Sequence, residues 1–155
     1  MKTKISTLFV SAICLMASLS LVSCNSCNNK DKDKTPPVIN LNAPEEGAVL
    51  SIGSDVHFDV ELSDNEMLAS YEVKIRSNFN KDKSTKSSTS KGDKTTKFSF
   101  QKSWDLSEPE VYIHHHEIII SENATPGNYS FTIYCVDAAG NKSHITRNIE
   151  LIRYE

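Results

Sequence analysis

Val56, Phe58, Val60 and Leu62 alternate with His57, Asp59 and Glu61, and this period of two governs the reading of the chain. Successive side chains on a strand point to opposite faces, so the run buries one face and wets the other. The period returns where Tyr71, Val73 and Ile75 alternate with Glu72 and Lys74. It returns again where Tyr129, Phe131, Ile133 and Cys135 alternate with Ser130, Thr132 and Tyr134. Val38 to Leu41, Val111 to Ile120, and Ile145 with Ile149 and Leu151 supply further extended runs. Phe98, Phe100 and Trp104 share a parity with Lys102, which makes that strand wet at its centre or bulged there. No segment after Pro37 has the repeat near 3.6 residues that an amphipathic helix needs.

About seven short strands and no helix, spread over residues 37–155, predict an all-β fold. The expected architecture is an immunoglobulin-like antiparallel β-sandwich. In that order the fifth strand, Val111 to Ile120, pairs with the second, Val56 to Leu62. One segment interrupts the pattern. Residues 80–97 hold six lysines, two aspartates and many Ser and Thr residues, a local charge of +4. Such a stretch lacks the apolar area to order itself and is expected to be a mobile polar loop between two strands.

The amino terminus has a different design. Lys2 and Lys4 precede an apolar run from Ile5 to Leu21 that ends in Leu21-Val22-Ser23-Cys24. A basic head, an apolar stretch too short for a flanked membrane span, and a small residue before cysteine read as a lipoprotein signal peptide over residues 1–23. Cys24 then becomes the lipidated first residue, carrying palmitate and holding the protein to a bacterial outer membrane or cell surface, where it faces the periplasm or the exterior. Residues 24–36 form a flexible polar tether, stiffened at Thr35-Pro36-Pro37, before a domain over 37–155. Cys14 leaves with the signal, Cys27 lies in the tether, and Cys135 reads as a small buried hydrophobe, so no intrachain disulfide is expected.

Removing the signal takes two lysines and no acid, so the full-chain charge of −3 becomes −5 for the remaining 132 residues. Setting aside the lysine-rich loop leaves −9 on the rest. That balance excludes a nucleic-acid binder driven by phosphate neutralisation, which needs a clustered basic face. The chain also lacks a Walker loop, GxSxG, HExxH and paired CxxC motifs. Adjacent histidines on a strand do not make a catalytic triad, and the serines have no diagnostic context, so no enzyme is expected.

Pro126-Gly127-Asn128-Tyr129-Ser130-Phe131 followed by Val136-Asp137-Ala138-Ala139-Gly140-Asn141 is similar to the last hairpin of bacterial immunoglobulin-like modules. Tyr129 stands where such domains place a tyrosine that bonds back across a corner. Taken in order, the chain shows Leu-Val-Ser-Cys, Thr35-Pro36-Pro37-Val38-Ile39, Ser63-Asp64-Asn65-Glu66, Ser103-Trp104-Asp105-Leu106, a histidine-bearing strand and this hairpin. That order resembles the Bacteroidetes lipoprotein family called domain of unknown function 4625. The resemblance implies a location and a fold, and no activity.

His114-His115-His116-Glu117 is the chemically provocative cluster. Residues two apart on a strand share a face about 6.6 Å from one another. His114 and His116 therefore form one chelating pair, and His115 with Glu117 the opposite one. The wet face of the paired second strand adds His57 and Asp59 as donors for Zn²⁺ or Cu²⁺. Val111 and Ile113 bury one parity while Ile118 and Ile120 bury the other, which predicts a bulge near the histidines. A second group, Asp64, Asn65, Glu66, Asp137 and Asn141, comes from two loops at one end of the sandwich and offers oxygens for Ca²⁺. Turn formation also calls for such residues.

The combined expectation is an exported, lipid-anchored binding or interaction module, touching the membrane through its lipid and meeting an envelope protein or glycan. A metal-binding envelope lipoprotein and a structural subunit of a surface complex are the alternatives. For a glycan, Trp104 and Tyr112 would be the aromatic platforms.

Overall fold

The computed structural model describes residues 32–78 and 95–154. The signal segment, Cys14, Cys24, Cys27 and most of the 80–97 loop lie outside the described residues. Eight strands follow one another: β1 (Val38–Ala43), β2 (Ala48–Ser51), β3 (Asp55–Ser63), β4 (Leu68–Ser77), β5 (Ser99–Asp105), β6 (Glu110–Ile119), β7 (Gly127–Asp137) and β8 (Lys142–Ile152). They form a three-stranded sheet, β1-β3-β6, and a five-stranded sheet, β2-β8-β7-β4-β5. This is the expected all-β sandwich with immunoglobulin-like strand order.

The alternating runs explain the core. Val56, Phe58, Val60 and Leu62 of β3 are fully buried, as are Val73 and Ile75 of β4 and Phe131, Ile133 and Cys135 of β7. Phe58 meets Tyr71 and Phe131 of the facing sheet with ring centroids 6.2 and 5.9 Å apart. Each fully buried side chain of this size contributes about 1.5–3 kcal/mol by leaving water. Cys135 is a free, buried thiol.

Two features refine the expected architecture. Among the described residues the strands number eight, against about seven expected, because the first edge is divided. β1 pairs antiparallel with β3, and after a cis Ala43–Pro44 peptide and a turn, β2 joins the other sheet parallel to β8. The sandwich is therefore not purely antiparallel. Gly47 turns the chain with a φ of 76°, a conformation that suits residues without a Cβ. Its amide donates to the carbonyl of Asn148 at 2.7 Å, while the Glu46 carboxylate accepts from the Asn148 backbone amide at 3.0 Å and its side-chain amide at 2.7 Å.

The β5 register against β4 is continuous, so Lys102 interrupts the apolar parity without a bulge. Its ammonium reaches across the open side of the sandwich to Glu117 of β6 at 3.1 Å and lies 4.7 Å from the Trp104 ring centroid. Trp104 is half-buried and stacks on Tyr71 at 4.7 Å, with the planes 4° apart. Of the pair expected for a glycan, Trp104 also touches His115 at 5.6 Å between ring centroids, and Tyr112 is 61% exposed.

Candidate functional site

The outer face of β3 and β6 concentrates the polar chemistry of the molecule. Asp59 pairs with His114 and Phe58 with His115, but Val56 then pairs with Ile118. The register shift leaves His57 opposite two residues, His116 and Glu117. This is the expected bulge, and it lets a single strand bury Ile118 and half-bury Ile113 although their parities differ. His114 and His116 consequently face outward beside His57. His115 turns inward.

One ring nitrogen from each of His57, His114 and His116 lies within 4.8 Å of the other two. The ring centroids are 4.9 Å apart for His57 and His114, 5.1 Å for His57 and His116, and 5.5 Å for His114 and His116. His57 and His116 are parallel within 4°. Carboxylates flank the cluster on both sides. His114 Nδ1 donates to Asp59 Oδ2 at 3.1 Å, and His116 Nδ1 donates to Asp55 Oδ2 at 2.5 Å. Asp59 also accepts from the Tyr112 hydroxyl at 2.6 Å and from Asn42 Nδ2 at 2.9 Å. The Tyr112, Asn42 and His114 bonds hold the Asp59 carboxyl down to about 2, and the bond from His116 lowers that of Asp55. The bond to Asp59 in turn raises the Tyr112 phenol. A groove of about 480 Å³ adjoins this face, lined by Asn42, Pro44, Glu46, Leu50, His57 and Asp59 among others.

The structure thus separates the six residues expected around a transition metal. His57, His114 and His116 converge. Asp59 stands behind His114 with both oxygens occupied. His115 packs on Phe58 and Trp104 at centroid distances of 4.9 and 5.6 Å, and Glu117 reaches away to Lys102. Asp55 joins the site unexpectedly. It sits two residues before His57, so shared parity was the available signal for it.

A second cluster forms where the 64–67 and 137–141 loops meet the chain before β1. Asp33, Asp64 and Asp137 each bring one carboxylate oxygen within 4.8 Å of the others. Asp64 Oδ2 accepts the amides of Glu66 at 2.9 Å and Met67 at 3.1 Å, whereas Asp137 accepts the Asn141 amide at 2.8 Å and its side-chain nitrogen at 2.6 Å. Asn141 Nδ2 also donates to the carbonyls of Asp33 at 3.2 Å and Thr35 at 3.3 Å. Asp33 Oδ1 accepts from Thr35 N at 3.0 Å and Asn65 Nδ2 at 3.1 Å, and these bonds lower its pKa. Asp33 Oδ2 and Asp64 Oδ1 are sealed from solvent and receive no hydrogen bond. Of the residues expected around calcium, Asp64, Asp137 and Asn141 meet. Glu66 contributes its backbone amide to the turn. Asn141 acts as a donor clamp, and Asp33 is the member that no local pattern announces.

A search of the curated proteins found no match. A comparison with known families matched residues 24–152 to the one described as Domain of unknown function (DUF4625). The match spans both sheets, the histidine face and the aspartate cluster, and the chain belongs to the DUF4625 family.

Proposed function

We propose that this chain is an exported, lipid-anchored, non-catalytic binding module of the bacterial envelope, and that it meets its ligand on the outer face of β1, β3 and β6. The observation that carries the binding part is the convergence of His57, His114, His116, Asp59 and Tyr112 beside a groove of about 480 Å³. A cluster of oriented polar groups next to a concavity is the usual form of a recognition site. The cluster lies on an open sheet face, with the His114 side chain 46% and that of His116 52% exposed. Catalysis of acyl or phosphoryl transfer draws on water-excluded, preorganised fields, which such a face does not supply. The anchor rests on the Leu21-Val22-Ser23-Cys24 ending of the apolar leader, and the family match begins at that same cysteine.

Two measurements test this reading. Cells grown with labelled palmitate should incorporate it into the wild-type chain and not into Cys24→Ala, and the variant should leave the membrane fraction. Label retained by Cys24→Ala sinks the anchor. A photo-crosslinking residue placed at Tyr112 should form adducts in intact envelopes, while one at Tyr134 on the opposite sheet should not. Equal labelling from both positions, or none from Tyr112, removes the binding face.

The aspartate cluster favours a second role for calcium. Its observation is the pair of sealed, donor-less oxygens on Asp33 and Asp64, next to the buried Asp137. Hard, oxygen-rich sites suit Ca²⁺. An ion there would fasten the end of the tether to the domain. Ca²⁺ should then raise the melting temperature of the full chain and leave that of Asp64→Asn unchanged; equal shifts for both would end this role.

A further inference from the structure

We propose that His57, His114 and His116 form a three-imidazole site for a divalent transition metal, zinc or copper, with Asp55 and Asp59 as the carboxylates that orient it. The inference deepens the reading above, since it names an ion for the same face.

Three independent arrangements converge on it. The first is proximity across strands. The nitrogens come from two strands, and the register shift opposite His57 draws His116 toward it. Zinc bonds to imidazole of about 2.0–2.1 Å place tetrahedral ligand nitrogens about 3.3–3.4 Å apart. The three nitrogens lie within 4.8 Å of one another, and the His114 and His116 side chains are about half exposed, so metal binding would require them to close by rotating.

The second is the tautomer. His114 and His116 each give the Nδ1 proton to a different aspartate, which in the neutral ring leaves Nε2 as the nitrogen with a free lone pair. A metal-bound imidazole almost always gives its other N–H to a carboxylate or carbonyl in this way, gaining basicity and a set orientation. Asp59 is itself held by Tyr112 and Asn42, so it is positioned before any ion arrives. Its occupied oxygens fit an orienting role and argue against direct ligation.

The third is selectivity. His57 packs against both other rings, and its charge reaches Asp55 without a hydrogen bond between them among the described residues. A face built only for histidine–aspartate pairs would not need this third ring. An all-imidazole set suits zinc and copper and disfavours calcium and magnesium, which take oxygen. Three protein ligands on an open surface leave a coordination position for water or for a donor group of an incoming ligand, beside the groove at Pro44.

The test uses the full-length chain, purified in detergent without an affinity tag and stripped with chelator. Zn²⁺ is titrated by calorimetry, and Cu²⁺ is followed by electron paramagnetic resonance for nitrogen hyperfine structure. One ion per chain with imidazole nitrogens as ligands is expected. His144→Asn, at the histidine of the opposite sheet, should bind as wild type does. Asp55→Asn should weaken binding about 10–100-fold. The double variant His114→Asn/His116→Asn should lose the site altogether, with an unchanged far-ultraviolet circular dichroism spectrum as proof of folding. An inert wild type, a double variant that binds normally, or a loss shared by His144→Asn would overturn the assignment. The Tyr112 crosslink repeated with chelator-treated envelopes separates the two readings. Adducts there with no ion uptake defeat the metal and spare the binding face, whereas ion uptake without adducts does the reverse.

Discussion

The hydroxyl of Tyr129 donates to the carbonyl oxygen of Thr125 across 2.8 Å, closing the corner that leads into β7. The phenolic oxygen of Tyr129 accepts the amide hydrogen of Phe98 at 3.2 Å, so one buried phenol ties the approach to β5 to the start of β7. Burial raises its pKa, and it stays a neutral donor throughout the physiological range. Tyr129→Phe keeps the ring in the core and removes both bonds. A loss of about 1–3 kcal/mol is expected, since a buried backbone partner left without its bond costs that much. Urea unfolding should show a lower midpoint at unchanged slope, and an unchanged midpoint would deny the corner its role.

His115 gives the domain a pH dependence. Its ring is turned inward against Phe58 and Trp104, with Nδ1 accepting the Glu117 amide at 3.4 Å and Nε2 buried without a partner. Desolvation lowers its pKa from the ordinary 6.5; Glu117 opposes that shift, while Lys102, His116 and His114 add to it. The unfolded chain therefore takes up the proton first as pH falls. The stabilisation is complete above the unfolded value and is lost as pH drops through 6.5 toward the lower folded value. His115→Phe should flatten the stability profile as pH falls through 6.5, and leave stability at about pH 8 equal or higher, because an unpaired nitrogen is exchanged for apolar surface. A variant as steep as wild type would assign the slope to other groups.

Asn141 holds the end of the tether. Its side-chain nitrogen bridges the Asp33 and Thr35 carbonyls to Asp137, and Gly140, with a φ of 90°, shapes the turn that presents it. Asn141→Ala should free residues 33–35 and leave the two sheets intact. Trypsin cutting after Lys32 and Lys34 should become several-fold faster at an almost unchanged melting temperature. Cleavage at the wild-type rate would mean that the bonds from Asn65 and the Thr35 amide to the Asp33 carboxylate suffice.

Much of this was legible in the chain, for reasons that differ by residue. Strict alternation from Val56 to Leu62 determined both the strand and its buried face, because a period of two leaves no helical alternative. The parity switch between Ile113 and Ile118 located the bulge, and the bulge in turn decided which histidines face outward. β2 escaped notice because four residues carry too little pattern, and its partner β8 lies about a hundred residues away in parallel orientation. Asp33 escaped for a related reason. Its role exists only once the 64–67 and 137–141 loops close around it. The Lys102–Glu117 pair likewise belongs to the meeting of two sheet edges, and nothing local to β5 or β6 records it.

Cys135 offers a direct reading of how the sandwich opens. It is fully buried on β7 opposite Tyr71 of β4, and burial pushes its thiol up to about 11. Alkylation requires the thiolate, which is scarce here at neutral pH, and also requires a path through a core of packed β-branched and aromatic side chains. Reaction must therefore wait for the two sheets to separate over Cys135, and a core packed between sheets opens only near global unfolding. Mass spectrometry of the peptide carrying Cys135 should show labelling at pH 8 at least about a hundred-fold slower than in urea-unfolded chain, with a rate that rises with denaturant along the global unfolding curve. Labelling as fast as in unfolded chain would mean that the core opens locally at this point, against the continuous register of β7 with β8 on its other side.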